Sequence, residues 1–472
     1  MRLLGPLVTD SEQRKNVFAE AATVPGSSSG LEIPPEFNSH QYLIFLLHIA
    51  AEVEHALMVQ YLYAGFSLGG SAVPEKHHAA VIGWQETVLG IAKEEMGHLL
   101  TVQNLLRCLG GPLNLDREDY PWDSSFFPFP FRLEPLSLNS LAKYVYAESP
   151  ESWKGPEADE IRKIAESQAV GKALHRIGDL YAAIKMILDD TRAIKDNDFR
   201  AWTHPFQANW DEWGRGYKEG ARGNTSDGKA KKTPNVLIFP IVSRSSAIDA
   251  IRGITQQGEA NAPPDDTAPS HFARFLAIYR AYPREGWVPT RNIPIDPVVV
   301  VESLGVGVGS CTAITHDETR LWAYLFNVRY RLLLIALLHS FDYPSNLWEA
   351  SQWTPRGLLI HLAFGEMYNL RALSHVLTQM PLTPDEDGRM AGPPFQMPYT
   401  VRLPFDQIDR WRSVVDLLDA SATLLQQLRR IGTIREAFVT ALEGADSELR
   451  ARTEAILASH HATTRMPAPA RP

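Results

Sequence analysis

Long stretches in which apolar residues recur every three or four positions dominate the sequence, and they restrict the fold more than any other feature. In residues 40–66 this spacing includes Leu43 and Leu47, and it predicts a helix because residues three and four apart share one helix face. A second predicted helix spans 77–109 and ends at the Gly-Gly-Pro sequence of 110–112. Two long adjacent helices of this kind favour a helical bundle.

Similar periodicity continues along the chain. It predicts further helices over about 158–190, 245–259, 270–282, 315–341, 354–379, 406–430 and 433–459. Thr315 and Glu318 have the spacing of a capping box, and Thr354 before a proline is typical of a helix start. The only strand candidates are short, such as 236–241 and 298–301. The predicted fold class is therefore all-α.

The organisation of the chain follows from the positions of these helices. Residues 1–39 lack periodicity and predict an N-terminal arm, and 40–282 predict the helical bundle. Residues 283–459 predict a C-terminal helical extension, and 460–472 a disordered tail.

Charge and cysteine content exclude several classes of protein. Lys and Arg number 46 and Asp and Glu 55, so the net charge is −9 and nucleic-acid binding is not expected. The most apolar short run, 332–338, is far below the roughly 20 residues of a membrane span, so no membrane association is expected. Two cysteines exclude a disulfide framework, and charged residues interrupt the N-terminus before any secretory signal forms. A cytoplasmic location is therefore expected.

Charged side chains on the apolar faces of the first two helices indicate a chemical site. Glu95 and His98 are three residues apart, so both lie on one face of their helix and can bind one ion. Glu54 lies within the apolar face of the preceding helix, where a carboxylate requires a cation. A Glu-x-x-His pair with a carboxylate from a neighbouring helix forms half of a di-iron or di-manganese site in helical bundles. A lone pair of this spacing also occurs as an ordinary surface pair.

Several segments resemble one known family. Residues 54–64 (EHALMVQYLYA) and 92–98 (AKEEMGH) closely resemble the first two helices of the ferritin-like domain of iminophenylpyruvate dimer synthases. Residues 177–184 resemble the third-helix motif of that family, and 257–259 with 270–275 resemble the fourth. Enzymes of this family act in bisindole pathways such as violacein biosynthesis.

The resemblance implies a ferritin-like four-helix bundle with long loop insertions over 40–282, and a site for two metal ions. Iron is the metal it implies, with manganese as the alternative. The ligands that it implies fall into two groups, one around each ion: Glu54, Glu95 and His98; and Asp179, Glu259 and His271.

The second group departs from the family pattern. Position 179 is Asp where the pattern has Glu, and the shorter side chain favours contact with one ion or binding through water. Glu259 and His271 are twelve residues apart, so they face one site only if the chain between them folds back. His175, one turn before Asp179, is either a substitute ligand, a partner behind the ligands, or a hydrogen-bonded core histidine, and the last is favoured.

Together these features predict a non-haem di-metal oxidoreductase or oxygenase that uses O₂ or peroxide. Its predicted substrate is a small organic molecule of secondary metabolism, with an imine derived from an aromatic amino acid as the narrower option. A metal-poor ferritin-like scaffold or binding module without redox catalysis is the alternative. A homo-oligomer is left open.

Overall fold

The computed structural model describes residues 33–117, 126–169, 174–213, 236–259, 269–299, 311–345, 354–385, 388–397 and 401–464. Within these ranges the fold is almost entirely helical, which confirms the all-α class. The α-helices are α1 (Ser39–Ser67), α2 (His78–Leu109), α3 (Leu138–Ala147), α4 (Pro156–Gln168), α5 (Ile177–Asp189), α6 (Trp210–Trp213), α7 (Arg244–Glu259), α8 (His271–Ala281), α9 (Asp317–Ser340), α10 (Pro355–Leu377), α11 (Gln407–Arg430) and α12 (Glu436–Thr464). The shorter elements are 3₁₀ turns at Glu75–His77, Asp196–Asp198 and Ala201–Phe206, and two parallel two-residue strands, β1 (Pro297–Val298) and β2 (Thr312–Ala313).

Helices α1 and α2 begin and end close to their predicted positions. The Asn38 side chain accepts a hydrogen bond from the backbone N–H of Gln41, whose own side chain accepts from the N–H of Asn38. At the other end of the pair, Gly110 caps α2 with φ 83°, a left-handed conformation that favours glycine. Local sequence signals therefore define this helical pair.

The long helices α1 and α2 pack along each other, and short helices cover them. Helix α5 packs on α1 and α7, while α8 packs on α2, α3 and α7. Buried leucines, among them Leu43, Leu47, Leu99 and Leu105, fill the space between the long helices. Two long and several short helices thus enclose one buried space.

The helix predicted over 158–190 is instead two helices, α4 and α5, and α3 was not predicted at all. Helix α4 packs on α3 whereas α5 packs on α1, so the chain changes direction between them. Apolar spacing detects a helical face but not such a change of direction, because both helices bury one face with the same period.

Helix α9 begins differently from the prediction, and α10 begins as predicted. His316 caps α9 and accepts from the N–H of Thr319, while the Glu318 carboxylate accepts from Trp322 and Thr433. The predicted capping box at the start of α9 is therefore wrong, since that carboxylate is used by the tertiary structure. The Thr354 side chain caps α10 as predicted.

The C-terminal helices form a second layer of the same apolar core. Helix α9 packs against α10 and α11, and α12 packs against α10 and α11. The Arg329 guanidinium, fully buried on α9, binds the carboxylates of Asp446 and Glu366 and the hydroxyl of Ser421. Helix α12 continues to Thr464, and residues 465–472 of the expected tail lie outside the described residues, as does the expected arm over 1–32.

An extended segment, 236–241, crosses α2 and belongs to no sheet in the described part of the chain. The Thr101 hydroxyl accepts from the N–H of Phe239, and the Asn104 amide donates to the Phe239 carbonyl. A β-carbon at Gly97 would lie 2.6 Å from the carbonyl oxygen of Leu237. Glycine at position 97 therefore lets this segment approach α2 directly beside His98.

Helices α1 and α9 are long and apolar enough to cross a membrane by length and composition alone. In both, 72% of the most apolar stretch is buried within the fold, as in core helices of other proteins that pass the same test.

Candidate metal centre

Two groups of buried side chains meet between α1, α2, α3 and α8, and they share one residue. The first group contains Glu54, Glu95 and His98, and the second contains Glu95, Glu148 and His271. In each group the ligand atoms lie within 4.8 Å of one another. Such groups of carboxylate and imidazole atoms suit a pair of ions.

Glu95 lies between the two imidazoles. One of its oxygens, Oε2, is 2.8 Å from His98 Nδ1, and the other, Oε1, is 2.9 Å from His271 Nδ1. The carboxylate of Glu54 lies 3.4 Å from His98 Nδ1, and that of Glu148 lies 3.8 Å from His271 Nδ1. The two halves therefore have the same composition, with Glu95 in the position of a bridging carboxylate.

The outer nitrogens of both imidazoles have partners of their own. His98 Nε2 lies 2.9 Å from the side-chain oxygen of Gln257, and His271 Nε2 lies 3.0 Å from a carboxylate oxygen of Glu94. Arg274 in turn binds Glu94. An acceptor at Nε2 leaves Nδ1 free to bind a metal ion and fixes the ring orientation, as outer partners do in known metal sites.

Two buried tyrosines bind the outer carboxylates. The Tyr181 hydroxyl on α5 binds Glu54, and the Tyr61 hydroxyl on α1 donates to Glu148 Oε1 over 2.7 Å. Both hydroxyls have pKa values well above the usual range, because burial and the nearby carboxylates disfavour the phenolate. They remain donors and hold each carboxylate in place.

The buried charges of the cluster shift one another's pKa values. Burial raises the pKa of Glu54 to about 7, and burial together with Glu95 raises that of Glu148. Burial alone would also raise the pKa of Glu95, but the two imidazoles hold it well below its usual range. The pKa of His98 is raised to about 10 against its burial, because Glu54 and Glu95 face it, and that of His271 is raised for similar reasons.

Three atoms that face this space make no well-oriented hydrogen bond: Glu54 Oε2, Glu95 Oε1 and His271 Nδ1, the last two in spite of lying 2.9 Å apart. Buried polar atoms without partners are rare in folded proteins, since each costs about 1–3 kcal/mol. All three belong to residue types that bind iron and manganese. The donor set therefore fits a pair of such ions.

Four of the six predicted ligands come together here, and two lie elsewhere. Asp179 is exposed at the start of α5, and Glu259 ends α7, in neither group. Burial, with the nearby carboxylates of Glu148 and Asp179, raises the pKa of Glu259 to about 8. His175 is also in neither group, so the role of all three as ligands stays a prediction.

A cleft of about 270 Å³ lies beside the centre, and Asp179 and Glu259 line it. Tyr181, whose hydroxyl binds Glu54, also lines this cleft. A β-carbon at Gly178 would overlap the carboxylate of Glu259, so glycine at that position makes room for it. The cleft thus borders Tyr181, which binds a carboxylate of the centre, although no member of either metal-binding group lines it.

Sequence reasoning missed Glu148. It follows the last residue of α3, which lies after an aromatic, proline-rich stretch that hid the short helix. A signal was present, because Ser137 and Ser140 cap a ten-residue amphipathic segment. A β-carbon at Gly258 would lie 3.2 Å from Glu148 Oε2, so this glycine of α7 allows the close approach.

Two curated proteins are similar to most of this chain. Dichlorochromopyrrolate synthase of Lentzea aerocolonigenes is 26% identical over 388 residues, which cover 75% of this chain and 36% of that protein. The 2-imino-3-(indol-3-yl)propanoate dimerase of Chromobacterium violaceum is 26% identical over 406 residues, which cover 78% of this chain and 35% of that protein. The chain thus spans about a third of the length of these relatives.

A crystal structure of a ferritin-like protein from Caulobacter vibrioides aligns with 70% of this chain and 95% of that protein. Its TM-score is 0.40 and its sequence identity 17%, a similarity too low to establish a common fold. Residues 47–280 match the ferritin-like family. This range contains Glu54, Glu95, His98, Glu148 and His271, so both metal-binding groups lie in the part of the chain that matches the ferritin-like family.

Proposed function

We propose that this chain is a di-metal oxidoreductase or oxygenase, with two iron ions at the centre and manganese as the alternative. Glu54, Glu95 and His98 would hold one ion, and Glu95, Glu148 and His271 the other. The observation that carries the proposal is the position of Glu95, with one oxygen beside each imidazole at 2.8 and 2.9 Å. A pair of ions bound by such donors supplies redox chemistry with O₂ or peroxide.

The residues behind the ligands organise the centre. Gln257 and Glu94 orient the imidazoles, so that each Nδ1 faces the shared carboxylate. Tyr61 and Tyr181 hold the outer carboxylates from the other side. The burial of the cluster excludes bulk water and strengthens every charge interaction in it.

We propose that a small organic substrate reaches the centre through the adjacent cleft. Three cationic side chains line it, Arg176, Lys185 and Arg252, together with the carboxylates of Glu151, Asp179 and Glu259. A molecule with a carboxylate and a basic nitrogen would pair with both sets. An imine derived from an aromatic amino acid has this chemistry, and the name of the Chromobacterium relative contains an imino acid of this kind.

Secondary metabolism is the setting in which both curated relatives act, and we place this chain there by analogy with them. We also propose that the protein is located in the cytoplasm. The proposed substrate, the metal and O₂ or peroxide are the only partners that it requires.

Metal analysis after anaerobic reconstitution with ferrous iron tests the centre directly. We expect about two ions per chain, and about one in His98→Ala or His271→Ala, because each change leaves the other half intact. Glu54→Gln should lower occupancy, whereas Glu52→Gln is the matched control, since Glu52 lies on the same helix outside both groups. Circular dichroism on each variant separates lost metal from lost fold.

The outcomes separate the two classes of function. No bound iron or manganese in the folded wild-type protein would contradict the proposal and favour the metal-poor scaffold. Two ions in His271→Ala would remove His271 from the ligands. Lower occupancy in Glu259→Gln would add Glu259 to them. The loaded protein should consume oxygen when supplied with imines of aromatic amino acids, and metal without oxygen consumption would contradict the oxygenase assignment alone.

A further inference from the structure

A second cavity, of about 460 Å³, is lined by the end of α1, the first part of α2 and the second half of α10. We call it the arginine pocket, because Arg291 and Arg371 line it together with His375. None of the described residues that line it is acidic. With two arginines and no carboxylate in its lining, the pocket is a local positive site in a chain of net charge −9.

The two arginines are held differently. The Arg291 guanidinium donates to backbone carbonyls at the end of α1, those of Phe66 and Leu68, so its position is fixed by the fold. Arg371 is exposed on α10 and makes no hydrogen bond or ion pair within the described ranges. Its guanidinium is therefore available to an anion, with Arg291 as the fixed positive group behind it.

The pKa of His375 is affected by the same positive charges. Burial and the nearby guanidinium groups of Arg291, Arg371 and Arg435 lower its pKa. The charged groups that act on His375 are thus all cationic, and they come from α10, from the loop that carries Arg291, and from the residue before α12. The Gln379 side chain lies 2.7 Å from its Nε2. A neutral imidazole beside two guanidinium groups can donate or accept one further hydrogen bond.

The rest of the wall is mostly apolar, and Gln85 and Thr378 are its two other polar residues. Phe66 and Leu89 form one side, Ala372 lies opposite, and the ring of Tyr368 stands at the rim with 60% of its surface exposed. A cavity of this size is within the usual range for small organic ligands and far larger than an inorganic anion needs. The wall chemistry matches a molecule with a carboxylate at one end and an aromatic or aliphatic group at the other.

We propose that the arginine pocket binds a small organic carboxylate, with Arg371 and Arg291 on the carboxylate and Phe66, Leu89 and Tyr368 around the apolar part. The site is separate from the metal centre, because none of its lining residues belongs to either metal-binding group or to the cleft beside them. It does not depend on the proposed redox function.

Calorimetric titration of the full-length chain tests this site with three probes: 3-phenylpropanoate, its neutral amide and inorganic phosphate. We expect saturable binding of the carboxylate, and binding at least about tenfold weaker for the amide and for phosphate. Arg371→Gln should weaken carboxylate binding by at least about tenfold, because the exposed side chain can be changed without disturbing the core. Ala372→Phe, which fills the cavity, should have the same effect.

Two control variants locate the effect. Arg430→Gln removes another exposed arginine that makes no ion pair within the described ranges, on α11, and should leave binding within about twofold. Arg252→Gln removes an arginine of the cleft beside the metal centre; 3-phenylpropanoate lacks the basic nitrogen of the ligand proposed for that cleft, so its binding should change by no more than about twofold. Loss of binding in Arg252→Gln alone would place the carboxylate in that cleft and overturn the proposal. No binding to the wild type, equal affinity in Arg371→Gln, or equal affinity for the amide or phosphate would also overturn it.

Discussion

Replacement of Gly97 by alanine tests how the fold positions the metal centre. A β-carbon there would lie 2.6 Å from the carbonyl oxygen of Leu237, 3.0 Å from its nitrogen, and 3.1 Å from a methyl group of Val236. Two of these atoms belong to backbone that is hydrogen bonded to α2, so the neighbour cannot rotate away. Either the crossing segment or the helix must move.

The expected magnitude is the difference between two opposing effects. Alanine in a helix is favoured over glycine by about 1 kcal/mol. Overpacking against fixed backbone costs about 1–3 kcal/mol. We therefore expect a net loss of up to about 2 kcal/mol in the free energy of unfolding, or a Tm lower by a few degrees. Because His98 is the next residue, we also expect lower iron occupancy than in the wild type.

A matched control lies on the same helix. Nothing lies within 4 Å of a β-carbon at Gly83, so Gly83→Ala should gain helix propensity without any clash and raise the Tm. Thermal melting of both variants, with metal analysis on the same samples, measures the two effects together. A Gly97→Ala protein that melts at or above the wild-type temperature with full iron occupancy would refute the close approach of the crossing segment.

Three further changes have expected outcomes. Burial raises the pKa of Asp296 from 3.8 to about 6, so between these values the folded state keeps a proton that the unfolded state releases. This contribution to stability is lost as pH rises from about 4 to 6. Asp296→Asn should remove up to about 3 kcal/mol of that pH dependence, measured by urea unfolding across this range. Arg329→Met leaves two carboxylates buried without their cation and should cost about 3–5 kcal/mol at neutral pH, seen as a large fall in Tm. Tyr61→Phe removes the donor to Glu148 and should lower occupancy in the half of the centre that contains His271, measured by iron titration, while His98 keeps its ion.

The features predicted best from the sequence are those that depend on residues close together along the chain. The bounds of α1 and α2 were predicted from periodicity and from the stop at Gly110, whereas the cap at Asn38 was found only in the structure. Glu95 and His98 come together for the same reason, because three residues along a helix bring two side chains to one face. The ferritin-like resemblance was confirmed over 47–280.

Elements that depend on tertiary contacts were predicted less well. Helix α3 is only ten residues long, so its serine cap and amphipathic face were overlooked after the aromatic, proline-rich stretch that precedes it. The separation of α4 from α5 was missed because apolar spacing does not detect a change of chain direction. Glu148 was missed with α3, since it lies one residue beyond the end of that helix.

The position of His271 shows why the second half of the centre could be predicted only in part. In a helical Glu-x-x-His pair the carboxylate would come from the same helix, but His271 is the first residue of α8, directly after its cap at Ser270. Its carboxylate neighbours come instead from other elements: Glu94 and Glu95 from α2, and Glu148 from the end of α3. Because α8 begins only at His271, no carboxylate three residues earlier shares its helix, and a short helix distant in sequence, α3, provides Glu148 instead. Residue spacing can show that His271 lacks a helical partner, but only the packing of α3 against α8 identifies Glu148 as its neighbour.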